Sequence, residues 1–314
     1  MHIAIIDLGT NTFNLLIVRV NRDNDYTILF ENKHPTKLGK GGINKNTITP
    51  EAFERGFVAL QTHLDTIKKF DVDRIHCFAT SAIRSSSNGK EFVAAVKDKF
   101  GLDIMVIQGA QEAELIYDGV KQVFPIGAEN VLIMDIGGGS TEFIIANVKG
   151  VQWKQSFELG VARIFDQVNP SAPMQSKQVE QVNTMILDSL EPLFYQLKQQ
   201  PIGALVGSSG SFDIIAAMVA AHVHPHLTMS KLTSYKIMKT DFEALNATFL
   251  NTTIEERLKL EAMDVDRVEV IVLASVFIKF MVNHLGLNHF YQCNYALKEG
   301  AIYQILNNKL KVSR

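Results

Sequence analysis

Two short stretches of this chain carry residue types suited to holding phosphate. In "MDIGGGSTEF", residues 134–143, three glycines follow Asp135 and precede Ser140, Thr141 and Glu142. In "IIDLGTNTF", residues 5–13, Asp7 is followed by Gly9, Thr10, Asn11 and Thr12. Glycine weakens a strand, because it costs backbone entropy and packs nothing. Unpaired amides in a glycine turn form a concave anion site, and the missing Cβ atoms let a phosphate reach the backbone. Gly137, Gly138, Gly139, Ser140 and Thr141 are expected to wrap one phosphate. Gly9, Thr10, Asn11 and Thr12 are expected to wrap another from the opposite side. Asp7 and Asp135 would then face a shared cleft, where hard carboxylate oxygens suit Mg²⁺ or another divalent cation. The spacing matches neither the P-loop nor the dinucleotide-binding fingerprint. A single such turn also reads as a plain tight hairpin; two of them argue for a site.

Other residues have weaker signals. Glu112 and Glu114 open a helix in "IQGAQEAELIYDGV" after a strand end, where a carboxylate either orients a water or simply complements the helix dipole. Arg84, in "ATSAIRSSSNG", reads as a phosphate contact or a solvated loop arginine. "LVGSSGSF", residues 205–212, is a further strand-to-helix turn that could meet phosphate. His222, His224 and His226 alternate in "AHVHPH", with no carboxylate or cysteine beside them, and read as a polar loop more readily than a metal site.

The elements that must position these residues follow from periodicity. Strands are expected over residues 2–7, 13–20 and 26–30, then a helix over 50–70 with Thr49 near its N-cap. A strand at 74–80, a helix at 89–100, a strand at 104–107 and a helix at 110–124 complete a βββαβαβα half. The plan then restarts: strands at 131–135, 143–148 and 151–157, helical stretches at 161–168 and 176–199, a strand at 202–206 and a helix at 212–222. Residues 227–261 read as helices, 264–284 as a core helix, 289–292 as a short strand and 296–310 as a terminal helix. "IIDLGTNTF" and "IMDIGGGSTEF" hold the same place in the two halves, which points to two related domains facing one cleft.

Composition sets the outer bounds. The chain has 314 residues, 46% hydrophobic and 20% charged, with net charge −2. That suits two soluble domains and gives no overall drive toward nucleic acid or membrane. The two cysteines, Cys77 and Cys293, have no metal or redox spacing and read as buried thiols of a cytoplasmic protein.

At this point the chain resembles the exopolyphosphatase/guanosine pentaphosphate phosphohydrolase (Ppx/GppA) family, within the acetate kinase, sugar kinase, Hsp70 and actin superfamily. "DLGTNTFNLLI", "ATSAIR", "IQGAQEAELIYDGV", "LIMDIGGGSTEFII", "FELGVARI", "GSSGS", "DVDRVEVIVLA" and "ALKEGAIYQIL" occur in the family's order. The resemblance implies an α/β fold of two duplicated actin-like (ribonuclease H-like) domains, each a mixed sheet with helices on both faces, around a central cleft. It suggests a first domain of residues 1–125 plus 300–314 and a second of 126–299, in the short form without the C-terminal HD-type domain. It implies Glu112 as catalytic glutamate, Glu142 with the metal or nucleophilic water, and Asp7 and Asp135 at Mg²⁺. Asn11, Arg84, Gly138, Gly139 and Ser140 would hold phosphates. This chain departs from the family at Gln111, where a glutamate is usual, at Thr10 and Thr12, which keep a hydroxyl, and at Asn14, where histidine is frequent.

The function so implied is Mg²⁺-dependent hydrolysis of terminal phosphoanhydride bonds in polyphosphate or guanosine pentaphosphate. The same fold also hosts phosphotransferases that return phosphate to ADP, and would suit a non-catalytic alarmone sensor; retention of Glu112 and Glu142 argues against the sensor. A homodimer is compatible with this reading. Lys37, Lys40, Arg84, Arg163 and Arg267 are the basic residues expected near the mouth. They are too few for a long polyanion channel, so distributive hydrolysis is expected.

Overall fold

The structure is a computed structural model and describes residues 1–22, 25–208 and 210–310. The first half folds as β1 (His2–Leu8), β2 (Thr12–Val20), β3 (Tyr26–Pro35), α1 (Pro50–Ile67), β4 (Arg74–Ala79), α2 (Ser81–Ser85), α3 (Gly89–Phe100), β5 (Ile104–Val106) and α4 (Gly109–Val120). Its sheet runs β3-β2-β1-β4-β5. The second half folds as β6 (Asn130–Ile136), β7 (Thr141–Asn147), β8 (Gly150–Phe157), α5 (Val161–Val168), α6 (Ser176–Ser189), α7 (Glu191–Gln199), β9 (Ile202–Ser208), α8 (Gly210–Val223), β10 (Ser234–Met238), α9 (Lys239–Asn251), α10 (Ile254–Arg257), α11 (Ile271–His284), β11 (His289–Cys293) and α12 (Leu297–Leu306). Its sheet runs β10-β11-β9-β6-β7-β8. Without the edge strand β10, the order β8-β7-β6-β9-β11 repeats that of the first sheet. The molecule is therefore two actin-like α/β domains.

The apolar pattern explains the layering. Along β1, Ala4 and Ile6 pack on the outer side with Leu60 and Phe92, while Ile3 and Ile5 pack inward. Along β6, Leu132 and Met134 face Ile215 and Phe277, while Val131 and Ile133 face inward. Both strands are covered on both faces, so each reads as an unbroken apolar run rather than an alternating one. The inner faces share one core with Ala113, Leu115 and Ile116 of α4 and Ala301 and Ile302 of α12. These two helices, which follow the equivalent strands β5 and β11, pack together. A Cβ on Gly300 would lie 1.7 Å from the Leu115 carbonyl oxygen, and one on Gly119 2.0 Å from that of Ala296.

Several boundaries differ from expectation for identifiable reasons. Thr49 does cap α1, its Oγ1 accepting from the Ala52 amide at 3.3 Å, but the helix ends at Ile67 and a tighter turn carries the chain to Asp71 in the left-handed region. Residues 227–261 are not all helical: Ser234–Met238 pairs antiparallel with β11 and buries Tyr235 and Ile237 alternately. The core helix begins only at Ile271, because residues 264–270 form turns. Residues 176–199 split at Leu190, where Pro192 falls in the first turn of α7. The terminal helix ends at Leu306. Arg84 sits on α2, a short helix with no sequence signal.

Candidate active site

The two glycine turns are the same turn twice. Residues 9–11 join β1 to β2 and residues 137–140 join β6 to β7, in matching register: Asp7 lies opposite Asn14, and Asp135 opposite Glu142. The Gly9 amide donates to the Thr12 carbonyl at 3.1 Å and that of Gly137 to Ser140 at 2.9 Å. A Cβ on Gly9 would meet that carbonyl oxygen at 2.8 Å, and on Gly137 at 2.9 Å, so both first positions require glycine.

What holds each turn from behind decides where its amides point. The carbonyls of Gly137 and Gly138 accept from the amides of Val161 (3.0 Å) and Ala162 (2.8 Å), and that of Gly139 accepts from Arg163 Nε (2.8 Å). In a trans peptide plane the N–H opposes the C=O. The amides of Gly138, Gly139 and Ser140 are therefore turned away from α5, toward the first domain. In the first turn, the Thr10 carbonyl accepts from Gly39, and that of Asn11 from Thr36 and Lys37. This aims the Asn11 and Thr12 amides the other way. The turns meet across the cleft, for a Cβ on Gly138 would lie 2.9 Å from both Thr10 and Asn11. Together they line a cavity of about 480 Å³ with Asp7, Asn14, Glu112, Asp135 and Glu142.

The carboxylates are fixed individually. Glu112 sits in the first turn of α4, and Arg84 Nη1 donates to its Oε2 at 2.8 Å and to the Ile107 carbonyl at 3.0 Å. Glu114, two residues on and so on another face of the helix, pairs instead with Lys154. Gln111 Oε1 accepts from the Gln108 amide at 2.9 Å, closing the N-terminus of the helix. A glutamate would make the same bond, which accounts for that departure. Glu142 Oε1 accepts from Ser156 Oγ at 2.6 Å. Asn14 Nδ2 donates to Asp7 Oδ2 at 2.9 Å, and Ser208 Oγ to Asp135 Oδ2 at 3.0 Å.

Burial dominates the electrostatics. It raises Asp7 to about 6 against the opposing Asn14 bond, Asp135 to about 8 with added repulsion from Glu112 and Asp7, and Glu142 to about 7 with repulsion from Asp135. Glu112 is pushed well above the usual carboxylate range by burial and then by Glu142, with Arg84 opposing. Four buried carboxyls, Asp7, Glu112, Asp135 and Glu142, with Glu31 and Asp213 also lining the cavity, make a strong demand for a cation.

The residues fit a divalent cation of the kind that keeps its waters. Asp7 Oδ1 is buried with no hydrogen-bond partner, and it lines the cleft with Asp135. Among the described residues, no three His, Cys, Asp or Glu side chains form a ready-made cage. Asp7, Asp135 and Glu142 are thus not a preassembled triad. Mg²⁺ bound through one or two carboxylates, water and substrate phosphate needs no such cage.

Not every expected residue meets the cleft. Thr141 is fully buried and its Oγ1 donates to the Leu159 carbonyl at 2.5 Å, so its hydroxyl serves the hairpin rather than a phosphate. Arg84 pairs with Glu112 through Nη1, and Arg163 is buried rather than at the mouth. Lys37 pairs with Glu269. Lys33, Arg267 and Lys298 are the cations lining the cavity. The Gly210 end of "LVGSSGSF" also lines it; Ser209 lies outside the described residues. His224 bonds Tyr235 through Nδ1, and the three alternating histidines form no metal cluster among the described residues. Sequence reasoning missed Ser156, which bonds Glu142, and Lys298, which lines the cavity; Asn14 stood out as a departure from the family, but its bond to Asp7 did not.

A cleft between two actin-like domains, with paired phosphate-type turns and buried glutamates, defines a phosphate-handling enzyme of the actin-like class. The chain belongs to the Ppx/GppA phosphatase family, whose model matches residues 16–309. It is 36% identical to an exopolyphosphatase from Cytophaga hutchinsonii, with 98% of each chain covered and a TM-score of 0.95. A Ppx/GppA family member from Aquifex aeolicus shares the fold at 24% identity, with 99% of each chain covered and a TM-score of 0.78. Fold and family together support phosphate-releasing hydrolysis. No helix among the described residues is long and apolar enough to cross a membrane.

Proposed function

We propose that this protein removes the terminal phosphate from linear polyphosphate or guanosine pentaphosphate, with Glu112 as general base. The observation that carries the proposal is the opposition of two equivalent turns, their amides aimed across a cleft where Glu112 and Glu142 are buried. The turn amides grip the end phosphate and the one behind it, and take up charge as the bridging bond breaks. Glu112, held by Arg84, orients a water toward phosphorus and accepts its proton. Burial and Glu142 raise the proton affinity of Glu112 above that of an ordinary carboxylate, which strengthens it as a base. Glu142, held by Ser156, fixes the water or the cation on the other side. Asp7 and Asp135 would hold Mg²⁺, which when bound neutralises the phosphate oxygens.

The test is a phosphate-release panel on short polyphosphate, long polyphosphate and guanosine pentaphosphate, each with and without ADP. Mg²⁺-dependent release of free phosphate without ADP is expected. Turnover only when ADP is present, with ATP as product, would replace hydrolysis by phosphotransfer.

A further inference from the structure

Arg163 was expected at the cleft mouth as a contact for the polyanion. It is instead 6% exposed and bonded on every side. Its Nε donates to the Gly139 carbonyl at 2.8 Å, inside the second-domain phosphate turn. Its Nη1 donates to the Ile43 carbonyl and its Nη2 to Ser85 Oγ, both at 3.0 Å and both in the first domain. Glu158 Oε2, also 3.0 Å from Nη2, balances the charge. Ser85 follows Arg84, the partner of Glu112, on α2. From the first domain, Asn44 Nδ2 reaches back to the Arg163 carbonyl and to Asp166.

We infer that Arg163 is a positioning residue that sets the second phosphate turn against the catalytic glutamate across the domain boundary. One planar guanidinium touches the turn, a first-domain loop and the helix that carries Arg84. Its rigid fork fixes three directions at once, which a lysine ammonium cannot do. If this clasp is lost, the Gly139 carbonyl loses its partner, and the Gly139–Ser140 peptide plane is free to rotate its amide away from the phosphate. Substrate is still drawn into the cleft by the remaining amides and cations, so the loss falls on the transition state. The inference rests on the reading of residues 137–140 as a phosphate cradle.

The test compares Arg163→Lys, Arg163→Met, Ser85→Ala and Gly139→Ala on tripolyphosphate with Mg²⁺, with thermal melts to fix the folded fraction. A misplacement of about 1 Å costs on the order of 100-fold in rate. Arg163→Met should therefore lose roughly 10- to 100-fold in kcat per folded molecule, with KM within a few-fold. Arg163→Lys should not restore the rate, and Ser85→Ala should lower kcat in the same direction by a few-fold. A purely structural arginine would lower the melting temperature and leave kcat per folded molecule alone; that result overturns the inference, as does wild-type kcat in Arg163→Lys. Gly139→Ala separates the two readings, because its Cβ would lie 2.5 Å from Ser81 Oγ and 2.7 Å from Thr10 Oγ1, within the junction of the turns. Loss in Gly139→Ala but not in Arg163→Met overturns the role of Arg163 alone. Loss in neither overturns the cradle as well.

Discussion

Binding of Mg²⁺ should release protons, and the number follows from the charges of the cleft. Asp7 is raised to about 6, Glu142 to about 7 and Asp135 to about 8, each chiefly by burial. A cation held by Asp7 and Asp135 needs both ionised. At pH 7 a group at about 8 is roughly nine-tenths protonated and one at about 6 roughly one-tenth, so binding should release about one proton. Glu142 adds up to about half a proton if the same cation ionises it. The sign for stability runs the same way. A raised carboxyl favours the folded state in its protonated form, so the contribution is fully present below the unfolded value near 3.8 and is lost as pH rises through about 6 to 8. The metal-free protein should melt at a lower temperature near pH 8 than near pH 6, and the gain on adding Mg²⁺ should widen over that window. Calorimetric titration at pH 7 in two buffers of different ionisation heat counts the protons. Apparent affinity should rise about tenfold per pH unit near pH 7, or up to about 30-fold if Glu142 ionises too, and level off above about pH 8. Tight binding with no proton release, or an affinity flat from about pH 6 to 9, would refute the assignment of the metal to these carboxylates.

Glu112→Gln should lower kcat by about 10²- to 10⁴-fold with little change in KM, and its melting temperature near pH 8 should not fall, since ionised Glu112 is disfavoured by burial and by Glu142; activity within a few-fold of wild type would remove it from the mechanism. Gln111→Glu keeps the capping bond to the Gln108 amide, so steady-state rates should match wild type. Ser156→Ala frees Glu142 Oε1 and should cost roughly 3- to 30-fold in kcat, read as phosphate release at saturating substrate, and an unchanged rate would mean that Glu142 needs no orientation. Long polyphosphate should shorten as a whole population on a gel sampled early, because among the described residues only Lys33, Arg267 and Lys298 line the cavity as cations, and Lys33 is already paired with Asp264; full-length chains persisting beside free phosphate would show processive action.

The parts of this site legible in the sequence are those in which residue type alone carries the chemistry. Three glycines after an aspartate have few other uses, and the matching Asp-x-Gly gave the repeat before any strand was paired. Register was not legible. That Asn14 stands where Glu142 stands follows only once β1–β2 and β6–β7 are aligned, residue against residue. Ser156 lies in "KQSFELG", an ordinary strand ending, and its role depends on Gly109: a Cβ there would lie 2.4 Å from that of Ser156. Arg163 was misjudged because a charged side chain near a cleft reads as exposed, whereas this one finds three directional partners in the interior. β10 was missed because five residues, "SYKIM", are too few to separate a period of two from one of 3.6 when helices flank them.

The duplication also explains how so acidic a cleft remains foldable. The helices after the equivalent strands β5 and β11, α4 and α12, begin alike. Gln111 caps the Gln108 amide, and Glu299 caps that of Ala296 at 2.8 Å, each from the third helical position. The next position is Glu112 in one copy and Gly300 in the other, where a side chain would strike the Leu115 carbonyl. In the turns, the residue opposite the aspartate is Asn14 in one copy and Glu142 in the other. Each of these equivalent pairs thus carries a single carboxylate, one from each half, and the neutral member serves packing or hydrogen bonding. Only the aspartate pair, Asp7 and Asp135, is a carboxyl in both copies. Two further carboxylates in the same volume would raise the proton affinity of all of them and drain charge from the base. The two halves share a frame and divide the chemistry: the first gives the glutamate paired with Arg84, the second the glutamate bonded by Ser156, and the cation would sit on the aspartate pair they hold in common.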